Sequence, residues 1–438
     1  MASIPPPARG RLRGLLIDAA PLREDRDFRW LWVGQLVSTI GRQVTLVALP
    51  YQVFVMTGSP LAIGGLSMAT LVGLLVFTLP GGAIADAYER RRLLLLTQVG
   101  LGATSLALGL LALTAAPPLP VIYLLALLAA AISTVDGPAR RAAIPRLVPP
   151  SRLPAAFVLN QTSYQASSVV GPAVGGLLIA AVGVSAAYLF DAATFLVALG
   201  AAYAIAPMPM GSSIGRPTVA MVLEGLRFVR RVPVILSTFV IDLSAMIFGL
   251  PVALFPILAL ETFHGGATTL GLLTAAPAVG ALIGTLTAGW VGAVRYQGRA
   301  VIAAVTAWGA AICAFGLLVF SLPLALLCLA IAGAADVLSA VFRTTITQTM
   351  TPDPLRGRVS ALTLLVVTGG PRLGDVEATA VAAVAGAQFS AFSGGVLCLI
   401  GTAFVAWRFP QLAAYRDRSR DADPPAVAPT GQSPAPGT

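Results

Sequence analysis

Apolar residues run through this sequence in twelve long stretches separated by short polar gaps. Each stretch has about 20 residues or more, the length that a helix needs to cross about 30 Å of hydrocarbon. The pattern predicts an all-α integral membrane protein with twelve crossings, at residues 30–56, 61–85, 93–115, 120–138, 157–182, 185–206, 233–261, 268–292, 300–320, 323–349, 358–385 and 388–408.

Basic residues occupy only every second gap. The gap Thr57–Pro60 carries no charge, the next one holds Arg90, Arg91 and Arg92, and the alternation continues to the uncharged turn near Gly386. Short loops rich in Lys or Arg stay on the cytoplasmic side of a membrane. We therefore predict that both termini are cytoplasmic.

The longest connection divides the chain into two halves. Residues 207–218 are rich in Pro, Gly and Ser, and Val219–Arg231 has apolar residues at helical spacing against charged ones, as in a helix lying on a membrane surface. We predict five regions: a cytoplasmic N-terminal segment, a six-helix bundle, a linker with an amphipathic helix, a second six-helix bundle and a disordered cytoplasmic tail, at residues 1–29, 30–206, 207–232, 233–409 and 410–438.

The two halves share a motif. The string Gly171-Pro172-Ala-Val-Gly175-Gly176 of the fifth stretch recurs in the eleventh as Gly370-Pro371-Arg372-Leu-Gly374-Asp375. Related six-helix halves with a substrate site between them are typical of secondary transporters that work by alternating access. The repeat therefore favours a secondary transporter made of two pseudo-symmetric six-helix bundles.

Composition supports the membrane assignment and excludes other classes. Hydrophobic residues make up 57% and charged residues 11%, against about 25% charged in a typical soluble domain. The net charge of +10 lies at predicted cytoplasmic helix ends, where orientation and anionic lipid explain it. We therefore expect the lipid bilayer as a partner and no nucleic acid.

Several residue types that carry chemistry are scarce. All 28 basic residues are arginine, so the chain has no P-loop lysine for nucleotide phosphates. Cys313, Cys328 and Cys398 lie inside apolar stretches, and the single histidine, His264, cannot form a metal cluster alone. We expect no metal and no cofactor. A membrane-embedded enzyme remains a rival interpretation, although no catalytic constellation supports it.

A charged motif follows the second stretch and reads Gly82-Ala-Ile-Ala-Asp86-Ala-Tyr-Glu89-Arg90-Arg91-Arg92. It resembles the loop 2–3 signature of the major facilitator superfamily. The resemblance implies that Asp86 engages the end of helix 11 and the loop arginines, and so closes a cytoplasmic gate. The sequence departs from the signature at Ala87 and Glu89, and Ala293 stands at the equivalent of Asp86 in the second half.

The motif of the fifth stretch resembles the antiporter motif of the same superfamily, which is associated with exporters. Its proline removes a backbone donor, and its glycines allow close contact with a neighbouring helix. Plain helix packing is the alternative interpretation of Gly171, Pro172, Gly175 and Gly176.

Three segments resemble the enterobactin-exporter family: Asp86-Ala-Tyr-Glu-Arg-Arg-Arg, Thr347–Pro352 leading to Gly357 and Arg358, and a predicted loop Pro138–Pro145. The resemblance covers residues 22–409. It implies export of a catecholate siderophore across the bacterial inner membrane, driven by the proton-motive force. We expect a monomer that binds this small molecule and protons. The same branch contains macrolide and drug effluxers, and an importer is a further alternative.

Charges inside the predicted crossings mark candidate functional residues, because ionisable groups in hydrocarbon are costly and usually face a cavity or each other. In the superfamily that this chain resembles, helices 1, 4, 7 and 10 line the central cavity. These four crossings carry Arg42, Asp136, Asp242 and Asp336. Arg343 follows Asp336 on the same helix face, and Arg372 and Asp375 are spaced to pair.

We interpret Asp242, Asp336 and Asp375 as candidate proton acceptors, with fixed interhelical ion pairs as the alternative. Arg42 is a candidate to hold an anionic oxygen of the substrate. Asp136 is more typical of a structural partner for arginines at the cytoplasmic edge, and Asp191 and Glu261 have weaker claims.

Phe248 and Phe342 are candidates to stack on catechol rings, with a lipid-facing or core position as the alternative.

Overall fold

The computed structural model describes residues 18–208 and 219–416, and this part of the chain contains helices and connecting turns but no strand. Twelve helices carry the fold: α1 Arg26–Thr57, α2 Pro60–Ala87, α3 Arg90–Leu111, α4 Leu119–Leu147, α5 Leu153–Val182, α6 Val184–Ala204, α7 Pro233–Phe248, α8 Gly266–Thr287, α9 Gln297–Leu317, α10 Leu322–Met350, α11 Asp353–Ala385 and α12 Ala387–Arg408.

Membrane-length helices dominate the described residues. Ten helical segments there are long and apolar enough to cross a bilayer. The all-α membrane fold is therefore confirmed. Helices α1 and α11 are also long, with 32 and 33 residues, but they carry several charges. The count of twelve crossings stays a prediction.

Glycines end the helices at three of the uncharged turns. Gly58 follows α1 with φ 59°, Gly183 separates α5 from α6 with φ 104°, and Gly386 separates α11 from α12 with φ 88°. These left-handed conformations favour glycine, which has no Cβ to clash with the backbone. The three turns lie at one end of the bundle, which we call the far end. The opposite end, where α1 begins and α12 ends, is the linker end.

The predicted loop Pro138–Pro145 is wrong, because α4 continues as a helix to Leu147. Ala139, Ala143 and Ile144 are buried along this extension. Tertiary packing outweighs the hydrogen bonds that the prolines remove, as it does in other membrane helices with internal prolines.

Helix α7 is broken in mid-membrane. It stops at Phe248, and a second segment, residues 252–262, continues as short 3₁₀, α and π turns. The indole N–H of Trp308 donates to the Gly249 carbonyl oxygen at 2.6 Å, which satisfies one backbone group at the break. The segment still forms one membrane-length span, Pro233–Thr262, in agreement with the predicted crossing 233–261, and the Gly249-Leu250-Pro251 string is the sequence signal for the break.

The first six helices pack mainly on one another, as do the last six, and the two groups touch mainly through two helix pairs. Helix α5 contacts α8, and α2 contacts α11. Residue pairs across these interfaces, such as Gly176 with Gly271 and Gly64 with Thr379, lie toward the far end. The two groups are therefore in close contact at the far end and diverge toward the linker end.

Helix Val219–Arg231, which we call the linker helix, docks on the beginning of α11. Its Val229 is buried with Ile235 and Val359, and Glu224 forms an ion pair with Arg358.

The Pro/Gly/Ser-rich segment 209–218 lies outside the described residues, as do residues 417–438. The start of the predicted disordered tail is instead a short helix, Pro410–Ala414, because Leu412 is buried against α9.

Candidate functional site

A wide cavity of about 950 Å³ separates the two groups of helices on the linker-end side. The first group contributes the ends of α4 and α5, and the second contributes α7, α10 and α11. Polar side chains line much of the wall: Arg141, Gln161, Thr238, Asp242, Arg343, Thr347, Gln348 and Ser360. Such a volume lies at the upper end of the range for small-molecule sites, which suits a bulky ligand.

Two carboxylates and one arginine form a cluster at this cavity: Asp242 and Arg343 line its wall, whereas the Asp336 side chain lies behind them and is 34% exposed. Arg343 of α10 hydrogen-bonds to Asp242 of α7, and both side chains are less than one-tenth exposed. A second guanidinium nitrogen of Arg343 lies 3.8 Å from Oδ1 of Asp336. That Asp336 oxygen is buried without a hydrogen-bond partner among the described residues. One cation for two carboxylates leaves an acceptor available for a proton.

A smaller chamber of about 180 Å³ lies on the far-end side, between the same groups. Arg42, Ser133 and Asp191 line it from the first group, and Arg372 and Asp375 from the second. Arg42 donates to the Ser133 hydroxyl at 2.7 Å and has no ion-pair partner among the described residues. The wide cavity therefore lies in the half of the bundle nearer the linker end, and the chamber lies in the half nearer the far end.

Asp191 has more polar contacts than the sequence suggested. It is 1% exposed, and its carboxylate accepts hydrogen bonds from Thr45 at 2.6 Å and Ser105 at 2.7 Å. These donors lie on α1 and α3, so Asp191 joins three helices. An aspartate inside an apolar crossing was the available signal, but its partners are remote in sequence.

Asp136 lies in a satisfied polar cluster within the first group. Its carboxylate accepts from Thr97 and Gln98 at 2.8 Å each, and pairs with Arg140 at 2.7 Å. Arg140 and Arg343 lie equally far into α4 and α10, and each reaches toward the first helix of its own group. The two arginines are therefore related by the internal repeat, although only Arg343 borders the wide cavity.

Replacing Arg140 with alanine is expected to destabilise the protein by about 1.5–3 kcal/mol, because Asp136 loses a charged partner but keeps two neutral donors. The measurement is thermal unfolding of the purified protein in detergent. Arg92→Ala is the control: Arg92 pairs with Glu89 at 3.0 Å, but its side chain is 79% exposed, so the change should cost less than about 1 kcal/mol. Equal stability of the two variants would contradict the structural role of Arg140.

The side chains of the charged loop after α2 contact the first six-helix group, to which the loop itself belongs. Arg91 donates to the Tyr203 carbonyl oxygen at 2.7 Å, at the end of α6, and Arg92 pairs with Glu89. Arg90 is buried and contacts the Tyr88 carbonyl oxygen at 3.4 Å. Gly82 lies in the last turns of α2, and the Asp86 side chain lies outside the described side chains. The cytoplasmic gate stays a prediction.

The paired glycine motifs occupy equivalent contacts. A Cβ at Gly171 or Gly175 would meet Gln43 or Val44 of α1, and a Cβ at Gly370 or Gly374 would meet Met246 or Ile247 of α7. Gly176 faces across to the other group: its added Cβ would lie 2.6 Å from the Ala267 carbonyl oxygen and 3.0 Å from Cα of Gly271. Pro172 also borders Gly271 through its carbonyl oxygen.

The two aromatic candidates lie in different surroundings. Phe342 is 2% exposed and its ring is 6.3 Å from that of Trp290, whereas Phe248 is partly buried where α7 breaks. An aromatic side chain that borders the wide cavity is Phe239, which the sequence did not single out. Only the rotation of α7 about its own axis, which the structure provides, shows that Phe239 faces the cavity.

Comparison with known proteins identifies the family to which this architecture belongs. A family model described as "Transmembrane secretion effector" matches residues 17–430. The chain is 30% identical to the enterobactin exporter EntS of Shigella boydii serotype 18, over 88% of this chain and 94% of that protein. It is also 30% identical to the enterobactin exporter EntS of Citrobacter koseri, over 81% and 85%.

Solved structures share the fold at lower identity. A bacterial homologue of the human lysosomal transporter Spinster, inward-facing and occupied, aligns with a TM-score of 0.70 and 17% identity, over 93% of this chain and 99% of that one. A bacterial homologue of the iron transporter ferroportin, in its inward-facing state, aligns with a TM-score of 0.65 and 15% identity, over 89% and 99%.

The membrane-length helices and the buried charges between two helix groups define a multi-pass membrane transporter. The chain belongs to the transmembrane secretion effector family of the major facilitator superfamily, in the branch that resembles enterobactin exporters.

Proposed function

We propose that this protein exports a bulky aromatic small molecule, most specifically a catecholate siderophore, in exchange for protons by alternating access. The observation that carries the proposal is the Asp242–Arg343–Asp336 cluster, of which Asp242 and Arg343 line a cavity shared by both helix groups. A proton site beside a ligand cavity lets the occupancy of one influence the other. The two relatives named as enterobactin exporters support the substrate class.

The orientation follows from the charged loops. The arginines of the α2–α3 and α4–α5 connections and of the linker helix lie at the linker end, which we assign to the cytoplasm of a bacterial inner membrane. The wide cavity then faces inward and the far end is closed to the outside. Export begins when a substrate from the cytoplasm enters this cavity.

Charge can couple the two transport steps. In the inward-facing state Arg343 is held by Asp242, and Asp336 offers a second carboxylate. After the protein opens outward, protonation of this cluster would remove the carboxylate charge that accepts a hydrogen bond from a catechol hydroxyl, and would so weaken the hold on the substrate. Loss of the proton to the cytoplasm would restore the pair. Arg42 in the far-end chamber is then positioned to contact an anionic oxygen during release.

Macrolide or multidrug efflux is a second candidate. Apolar side chains such as Phe239, Leu364 and Val367 share the cavity wall with the polar ones, and broad-specificity sites use such surfaces. Resistance to unrelated drugs without any siderophore transport would favour this candidate.

Asparagine substitution tests the proton role. We expect Asp242→Asn and Asp336→Asn each to reduce proton-driven uptake of a catecholate siderophore into inverted membrane vesicles at least about tenfold, because asparagine cannot titrate. Asp353→Asn, at a side chain that is 83% exposed, is the matched control and should transport normally. Full transport by both cavity variants would remove the cluster from coupling, and absence of transport by the wild type would reject the substrate class.

A further inference from the structure

The internal repeat places Asp375 at a contact between the two helix groups. Asp375 is the sixth residue of the motif in α11, where Gly176 is the sixth residue of the motif in α5. Gly176 lets α5 approach α8 of the other group, and Asp375 reaches α2 of the other group. The same position therefore serves a close backbone contact in one half and a polar contact in the other.

Asp375 accepts hydrogen bonds from three separate elements. One carboxylate oxygen accepts from the Ser67 hydroxyl of α2 at 2.9 Å and from Arg372 at 3.2 Å, and the other accepts from the Ala253 backbone N–H at 3.2 Å. The residue is 3% exposed. An ionised carboxylate can satisfy all of these donors at once, whereas a neutral side chain of the same shape cannot.

The Ala253 contact connects Asp375 to the break in α7. Ala253 lies in the first turn after the break, where backbone N–H groups have no helical partner. The carboxylate supplies that partner, so α2, α11 and the outer segment of α7 are held together at one point. Opening of the far end would separate α2 from α11 and break the Ser67 contact.

We propose that Asp375 is the latch of the far end, a positioning residue whose negative charge keeps this side closed while the wide cavity is open. The latch rests on the alternating access of the proposed function. Two other charged groups border the same chamber: Arg42 of α1 forms no ion pair with Asp375, and Asp191 of α6 is itself a carboxylate. Loss of the Asp375 charge therefore shifts the population toward a state with the far end open.

Distance measurements on the full-length protein in lipid nanodiscs test the latch. Spin labels at Thr114→Cys and Gln388→Cys, two exposed far-end positions in different groups, report separation of the far end in a background without the native cysteines. We expect Asp375→Asn to raise the ratio of long to short distances about tenfold, since hydrogen bonds to charged groups are strong. Ser67→Ala should shift it in the same direction by less.

Ser163→Ala is the matched control, because this buried hydroxyl donates only within its own helix, to the Leu159 carbonyl oxygen at 2.8 Å. Its distances should equal those of the parent. Unchanged distances in Asp375→Asn would overturn the latch, and if that variant does not fold, unchanged distances in Ser67→Ala would do so. The readout needs no substrate, so failed siderophore transport with shifted distances would reject the proposed function and leave the latch intact.

Discussion

Replacing Arg343 with methionine is expected to destabilise the protein by about 3–5 kcal/mol and to abolish transport. The guanidinium and Asp242 are both less than one-tenth exposed, so the change leaves a buried carboxylate without its counter-ion. Asp336 would lose its nearby cation at the same time. The measurements are thermal unfolding in detergent and siderophore uptake by inverted vesicles.

A paired substitution separates the two effects. Asp242→Asn combined with Arg343→Gln removes both charges of the buried pair, and neutral replacement of such pairs is often close to isoenergetic. We expect the double variant to recover most of the lost stability and to remain inactive. Transport by the double variant at the wild-type rate would show that this pair is only structural.

Replacing Gly176 with leucine is expected to prevent closure of the far end. An added Cβ would already lie 2.6 Å from a backbone oxygen of α8, and backbone cannot move aside as a flexible side chain can. Overpacking usually costs about 1–3 kcal/mol, and a leucine at a backbone contact should exceed this. The inward-open state would be lost, and transport with it.

Far-end accessibility and uptake measure this effect together. Cysteine labelling at Thr114 should be unchanged, while a buried far-end position such as Ile63→Cys, which lines the chamber, should become reactive in Gly176→Leu. Gly200→Leu is the matched control, because a Cβ at Gly200 in α6 meets no atom within 4 Å. A Gly176→Leu protein that transports normally would contradict the close α5–α8 contact.

Much of the fold was accessible from local sequence, since helix length and hydrophobicity act over a single crossing. The described helices occur where apolar stretches predicted them, and the linker helix ends at the predicted Arg231. Two features of the helices differ from the prediction. The predicted loop at 138–145 is instead helical because Ala139 and Ile144 are buried there, and the predicted crossing 233–261 is one span whose break in α7 the prediction does not include.

The candidate site was predictable in its members but less so in its pairings. Asp242, Asp336 and Arg343 stood out because charges in hydrocarbon are expensive, and the structure brings all three together. Asp191 has only a weak claim as a site residue from the sequence, because its donors Thr45 and Ser105 are uncharged and lie on helices remote in sequence.

The sequence by itself determined the helix lengths, the placement of the basic loops and the repeat of the glycine motif, because each depends on residues close together in the chain. The tertiary structure decided which carboxylates share an arginine and which one joins the two helix groups. Ser67 and Asp375 are 308 residues apart, and no periodicity connects them. Only the packing of α2 against α11 places the hydroxyl within hydrogen-bonding distance of that carboxylate.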